Sequence, residues 1–97
     1  MHKILILLAA SATLLSANAF AVDRGELLAS TCMSCHGAGG KSKGAIPSIA
    51  GLDKAYIVKS LQDFKSGARP ASVMQRHAKG YTDEEFALMA DYLSKLK

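Results

Sequence analysis

The sequence predicts a small all-α domain with three principal helices and two long loops. Three observations predict it. Apolar residues recur at helical spacing in three separate stretches, and nowhere do they alternate strictly as in a half-buried strand. Segments containing Gly, Ser and Pro separate those stretches. The aromatic content is low, with no Trp, three Phe and three Tyr, so a core of this size needs a staple such as a disulfide, a metal or a cofactor.

The elements follow in chain order. Residues 1–21 have a short basic start (His2, Lys3), an apolar run from Ile4 to Leu15, and small-x-small signals at Ala17-Asn18-Ala19 and Ala19-Phe20-Ala21. This is the layout of a secretory signal peptide cleaved after Ala19 or Ala21, and the apolar core is short for a membrane span. The alternative is an uncleaved anchor. An exported domain then occupies 22–97, with no internal repeat or interdomain linker. Asp23 to Cys35 reads as the first helix, on Leu27, Leu28 and Cys32. Residues 37–51 read as a loop around Pro47.

Leu52 to Ser66 reads as the second helix, with Tyr56, Ile57, Leu61 and Phe64 on one broad face and Gly67 as its stop. Gly67 to Gly80 reads as irregular, with room for one short helix. The last helix has the clearest signature. Thr82 and Glu85 form a capping box, Tyr81 and Phe86 stand at the positions of a hydrophobic staple, and Asp83, Glu84 and Glu85 suit the positive end of the helix. Phe86, Met89, Ala90, Leu93 and Leu96 make its apolar stripe.

Removal of the first 21 residues leaves 11 Lys+Arg against 8 Asp+Glu. The charge is modestly basic and mixed in sign. It lacks the concentrated basic stripe and aromatic platforms that nucleic-acid binding uses, and it is compatible with docking an acidic protein.

The chemistry converges on "STCMSCHGAGG", residues 30–40, which contains the only two cysteines. A structural zinc site wants four ligands, and the chain offers Cys32, Cys35, His36 and His77 with no second close pair. A thioredoxin-like motif expects a sheet, which this sequence does not predict. A Cys32–Cys35 disulfide would close too small a loop to constrain the unfolded chain much. Covalent attachment of haem c is the reading that Cys-x-x-Cys-His signals. Two thiols on one helical turn reach the two vinyl groups along one side of the porphyrin. His36, directly after Cys35, then falls beneath the iron as an axial ligand. The macrocycle supplies the missing core.

For the second axial ligand the candidates are Met33, Met74, Met89, His77 and the lysines. Met33 lies inside the attachment motif, and Met89 belongs to the apolar stripe. Met74, in the segment before the last helix, leaves enough chain to wrap the haem and is favoured, with His77 its rival. Pro47 is the candidate carbonyl donor to the other ring nitrogen of His36; the plainer reading is that it shapes a turn.

With "CMSCH", a proline in the next loop and a methionine in the third segment, the chain resembles class I c-type cytochromes. The resemblance implies that Cys32 and Cys35 bind one haem c, that His36 and Met74 ligate its iron, and that Pro47 supports His36. It also places Gly25 where the first and last helices cross. "CMSCHGAGG", "PSIAGL", "FKSGARPASVM" and "AKGYTDEE" are similar to the haem subunit of flavocytochrome c sulfide dehydrogenase, here in a single-haem form. That family implies a periplasmic electron-transfer subunit with no catalytic residue of its own. It would pair, as a heterodimer, with a flavoprotein whose flavin reduces it. Rival readings are a freely diffusing shuttle and a haem ligand sensor or peroxidase-type enzyme with an open iron position. Lys41, Lys43, Arg76 and Lys79 flank the loops expected around the haem. They read either as a steering surface for an acidic partner or as ordinary solvated cations.

Overall fold

The computed structural model describes residues 23–97; the expected signal peptide lies outside the described residues. Asp23 opens the first helix. Its carboxylate accepts a hydrogen bond from the Gly25 amide at 2.9 Å, satisfying one of the donors a helix start leaves free. Helix α1 then runs Arg24–Ala29.

The expected single helix from Asp23 to Cys35 is not continuous. Ser30–Cys32 tightens into a 3₁₀ turn, and α2 resumes at Met33–His36. The hydroxyls of Ser30 and Thr31 donate to the Leu27 and Leu28 carbonyls at 2.6 and 3.4 Å, and Ser34 donates to Thr31 at 3.1 Å. Three hydroxyl back-bonds within five residues compete for the carbonyls that an α-helix would use, which favours the tighter turn.

Gly37 stops α2 at φ 92°, where an added Cβ would run into the Lys41 carbonyl. The expected loop follows, opening with a 3₁₀ turn at Ala38–Gly40. It is pinched at its base: the Gly40 carbonyl accepts from Ile49 N at 2.8 Å and from Ala50 N at 3.1 Å. Inside the pinch, Ser42 N donates to Ser48 Oγ at 2.8 Å. These bonds close the loop and hold Pro47, directly before Ser48, at its closing end.

Helix α3 spans Lys54–Ser66, two residues later than expected. The reason is Asp53, whose carboxylate caps the Tyr56 amide at 3.2 Å and leaves Leu52 outside. Gly67, in the left-handed conformation, ends it as expected. Ile57 and Leu61 are buried and Phe64 packs beside them, but Tyr56 is 53% exposed. The apolar face is narrower than the sequence reading allowed, because Tyr56 is rotated about 100° from Ile57 around the helix.

Helix α4, Val73–Ala78, is the one short helix for which the segment from Gly67 to Gly80 left room, and Met74 stands on it. Helix α5, Asp83–Ser94, carries the expected capping box: Glu85 N donates to Thr82 Oγ1 at 3.1 Å and Thr82 N to Glu85 Oε1 at 3.0 Å. The Tyr81 and Phe86 rings lie 6.5 Å apart, as a staple requires.

Helix α5 is the centre of the fold. It packs on α1 and α3, and α4 packs on α3. Phe86, Met89, Ala90 and Leu93 of α5 meet Ala29, Ile57, Leu61 and Ala78 in one buried core. At the α1–α5 crossing the space beside Gly25 is closed by the Leu88 backbone, and an added Cβ would overlap the Leu88 carbonyl oxygen. The described residues contain helices and loops and no strand, the all-α architecture the sequence predicts.

Candidate functional site

The site grows from the end of α2. His36 is the last residue of that helix and is only 9% exposed. Its Nδ1 lies 2.6 Å from the carbonyl oxygen of Pro47, at the closing end of the pinched loop. A carbonyl only accepts, so Nδ1 carries the proton and donates. Nε2 is then the unprotonated nitrogen, and it has no hydrogen bond among the described residues. An imidazole oriented this way is prepared to ligate a metal.

Cys32 and Cys35 precede it as free thiols, the first half-buried and the second exposed. Burial pushes the Cys32 thiol up, against a smaller opposing effect from the Thr31 hydroxyl. Cys32, Met33 and Met74 all pack, partly buried, against the core cluster. Met89 is 1% exposed inside that core, in keeping with its place in the apolar stripe.

His77 is engaged elsewhere. Its Nε2 is 3.4 Å from Thr31 Oγ1, and its ring meets Tyr81 edge-on with centroids 5.5 Å apart. Lys41, Lys43, Arg76 and Lys79 are exposed and have no carboxylate partner among the described residues.

Sequence reasoning did not single out Ser42, Ser48 and the Gly40 carbonyl, which shape the loop behind Pro47, or the meeting of Thr31 with Tyr81. The glycines at 37, 39 and 40 signal a sharply turning loop start, but nothing local marks the closing bonds. Thr31 and Tyr81 are 50 residues apart, and no spacing rule connects them.

The family model described as "Cytochrome c" matches residues 22–97, the whole described domain. The chain belongs to the cytochrome c family. Among its relatives, the cytochrome subunit of sulfide dehydrogenase from Chlorobaculum tepidum is 51% identical over 74 residues, covering 76% of this chain and 67% of that protein. A thiosulfate dehydrogenase electron acceptor from Thiomonas intermedia is 41% identical over 71% of this chain, but the match spans only 33% of that longer protein. Cytochrome c-553 from Helicobacter pylori is 36% identical over 84% of this chain and 86% of its own length.

As a cytochrome c, the protein transfers electrons and its cofactor is covalent haem c. The donor set fits that group. The chain holds two free thiols at the required spacing, an adjacent imidazole whose Nδ1 is already committed, and a half-buried thioether on a different helix. One attachment motif gives one haem. Among the described residues no helix is long and apolar enough to cross a membrane.

Proposed function

We propose that this cytochrome c is the haem subunit that accepts electrons from the flavin of a sulfide dehydrogenase flavoprotein in the periplasm. Residues 1–21 act as the export signal, cleaved after Ala19 or Ala21. Cys32 and Cys35 tether the haem, and His36 and Met74 ligate its iron. The observation that carries the site is His36, which is buried, directly follows Cys35, and is bonded through Nδ1 to Pro47 so that Nε2 is free. The likeness to the Chlorobaculum cytochrome subunit supports sulfide as the electron source for the complex.

When bound, haem c supplies a one-electron iron couple. The protein's own residues do the rest. His36 presents a basic nitrogen because Pro47 accepts its other proton, and the Met74 thioether favours a higher potential than a second imidazole would give. The apolar side chains of Ile57, Leu61, Phe86 and Leu93 keep water from the interior. Lys41, Lys43, Arg76 and Lys79 attract an acidic docking face.

The test begins with ligation. Ferric thioether-ligated haem has a weak absorption band at the red edge of the spectrum; Met74→Ala removes it and lets the reduced protein bind carbon monoxide. If the band survives in Met74→Ala, this ligand set fails. Partnership comes next: sulfide plus the flavoprotein should reduce the cytochrome, and the two should stay together through salt washes. The likeness to thiosulfate dehydrogenase electron acceptors favours a second reading, a freely diffusing shuttle serving another donor. A cytochrome that elutes alone at low salt, and that the flavoprotein does not reduce, supports that reading. N-terminal sequencing of the exported protein identifies the cleavage site.

A further inference from the structure

Thr31 stands one residue before Cys32, and its hydroxyl gathers two groups from the far end of the chain. The Tyr81 hydroxyl is 3.0 Å from Thr31 Oγ1 and His77 Nε2 is 3.4 Å away, across 50 and 46 residues of sequence. The shorter contact is a full hydrogen bond, and the longer lies at the edge of the range. Thr31 Oγ1 has one proton and two lone pairs: with its proton donated to the Leu28 carbonyl it can accept from Tyr81 O–H and from His77 in the tautomer protonated at Nε2, so all three contacts can form at once. The His77 and Tyr81 rings add an edge-on contact at 61°.

Tyr81 is a fixed anchor for this cluster. Its carbonyl accepts from Lys65 Nζ at 2.5 Å, and its ring packs toward Phe86, which is fully buried. His77 is the movable partner. It stands on α4 one turn after Met74, at i and i+3, and Met74 in turn neighbours Ala78 at i+4. Ala78 is 0% exposed, while Val73, one turn before His77 on the outer side, is 66% exposed, so His77 stands at the border between the core side and solvent. A helix of six residues does not hold its own position and takes it from tertiary contacts. The contacts of the His77 ring, together with the packing of Ala78 and Met74 on the core, therefore set the rotation of α4 and with it the direction of Met74.

We propose that Thr31 is a positioning residue for Met74: with Tyr81 it clamps the His77 ring, locks α4 against the attachment turn, and keeps the thioether, rather than His77, as the iron's second ligand. This rests on the reading of Met74 as that ligand. The clamp joins the residue beside the attachment cysteine Cys32 to the helix that carries Met74.

The experiment is imidazole competition on the ferric holoprotein, followed by loss of the red-edge thioether band. Added imidazole displaces a thioether more easily when its helix is loosely held. Removing one hydrogen bond of ordinary strength should make Thr31→Val bind imidazole about fivefold more tightly. Tyr81→Phe, which deletes a single oxygen, should move the affinity in the same direction, and Thr31→Ser should restore the wild-type value. Asp53→Ala, which uncaps α3 away from the cluster, serves as the control for general loosening. Unchanged imidazole affinity in both Thr31→Val and Tyr81→Phe overturns the proposal, as does an equal increase in Asp53→Ala. Failure of the underlying ligand reading is separately visible, because the band would then be absent from the wild-type protein or persist in Met74→Ala.

Discussion

His36 Nδ1 and the Pro47 carbonyl oxygen are 2.6 Å apart, a contact that joins the end of a helix to the closing end of a loop 11 residues later. The bond orients the imidazole and raises its basicity, so the loop acts on the metal ligand through one carbonyl. Pro47→Ala keeps the carbonyl but frees its φ angle. The loosened bond should make His36 a weaker donor to ferric iron and raise the midpoint potential. A loss of about 0.5–1 kcal/mol corresponds to about 20–40 mV for a one-electron couple. Redox titration measures it; an unchanged or lower potential would show that the loop is held by its other bonds alone.

Gly25 tests the helix crossing. A methyl group there meets the Leu88 carbonyl, which is backbone and has no rotamer through which to move aside. Gly25→Ala should therefore destabilise the holoprotein by about 1–3 kcal/mol, despite the better helix propensity of alanine. Urea unfolding followed by far-UV dichroism reports this, and a stabilised variant would mean that the two helices can separate without cost.

The capping box predicts a smaller and local effect. Thr82→Ala leaves the Glu85 amide without its partner at the start of α5 and should cost about 1 kcal/mol. The unfolding midpoint in urea should fall with an unchanged slope, since the exposed area on unfolding stays the same.

Asp91 provides a pH dependence. A hydrogen bond and charge from Lys95 first, with a smaller contribution from Lys54, hold its carboxyl below its ordinary value of 3.8. A depressed acid stabilises the fold above its unfolded-state value, and that contribution disappears as the pH falls through the folded-state value. Asp91→Asn should thus lower stability slightly at neutral pH and make no difference in strong acid. The side chain is 47% exposed, so the effect should shrink further in high salt. Thermal unfolding across that pH range, with and without added salt, is the measurement.

Much of the fold was legible because its signals are short. Thr82 and Glu85, or Ser66 followed by Gly67, depend on residues within one helical turn of each other, and the structure places those boundaries where the sequence does. The misreadings have the same character in reverse. The first helix breaks at Ser30–Cys32 because several hydroxyls act together, and Tyr56 lies off the buried stripe. Propensity and period describe single elements, and these outcomes depend on how neighbours compete for the same carbonyls and the same core.

The chemistry at residues 32–36 and the all-α pattern around it can be read from the residues alone, because thiol spacing, an adjacent imidazole and helical periodicity are written in consecutive positions. The packed fold is needed to set the Pro47 carbonyl against His36, to bring Gly25 onto the Leu88 backbone, and to make Thr31, His77 and Tyr81 meet. Those contacts span 11 to 63 positions, and a hydrogen bond of modest net strength does not by itself offset the entropy of closing such loops, so they depend on the packing of the helices around them.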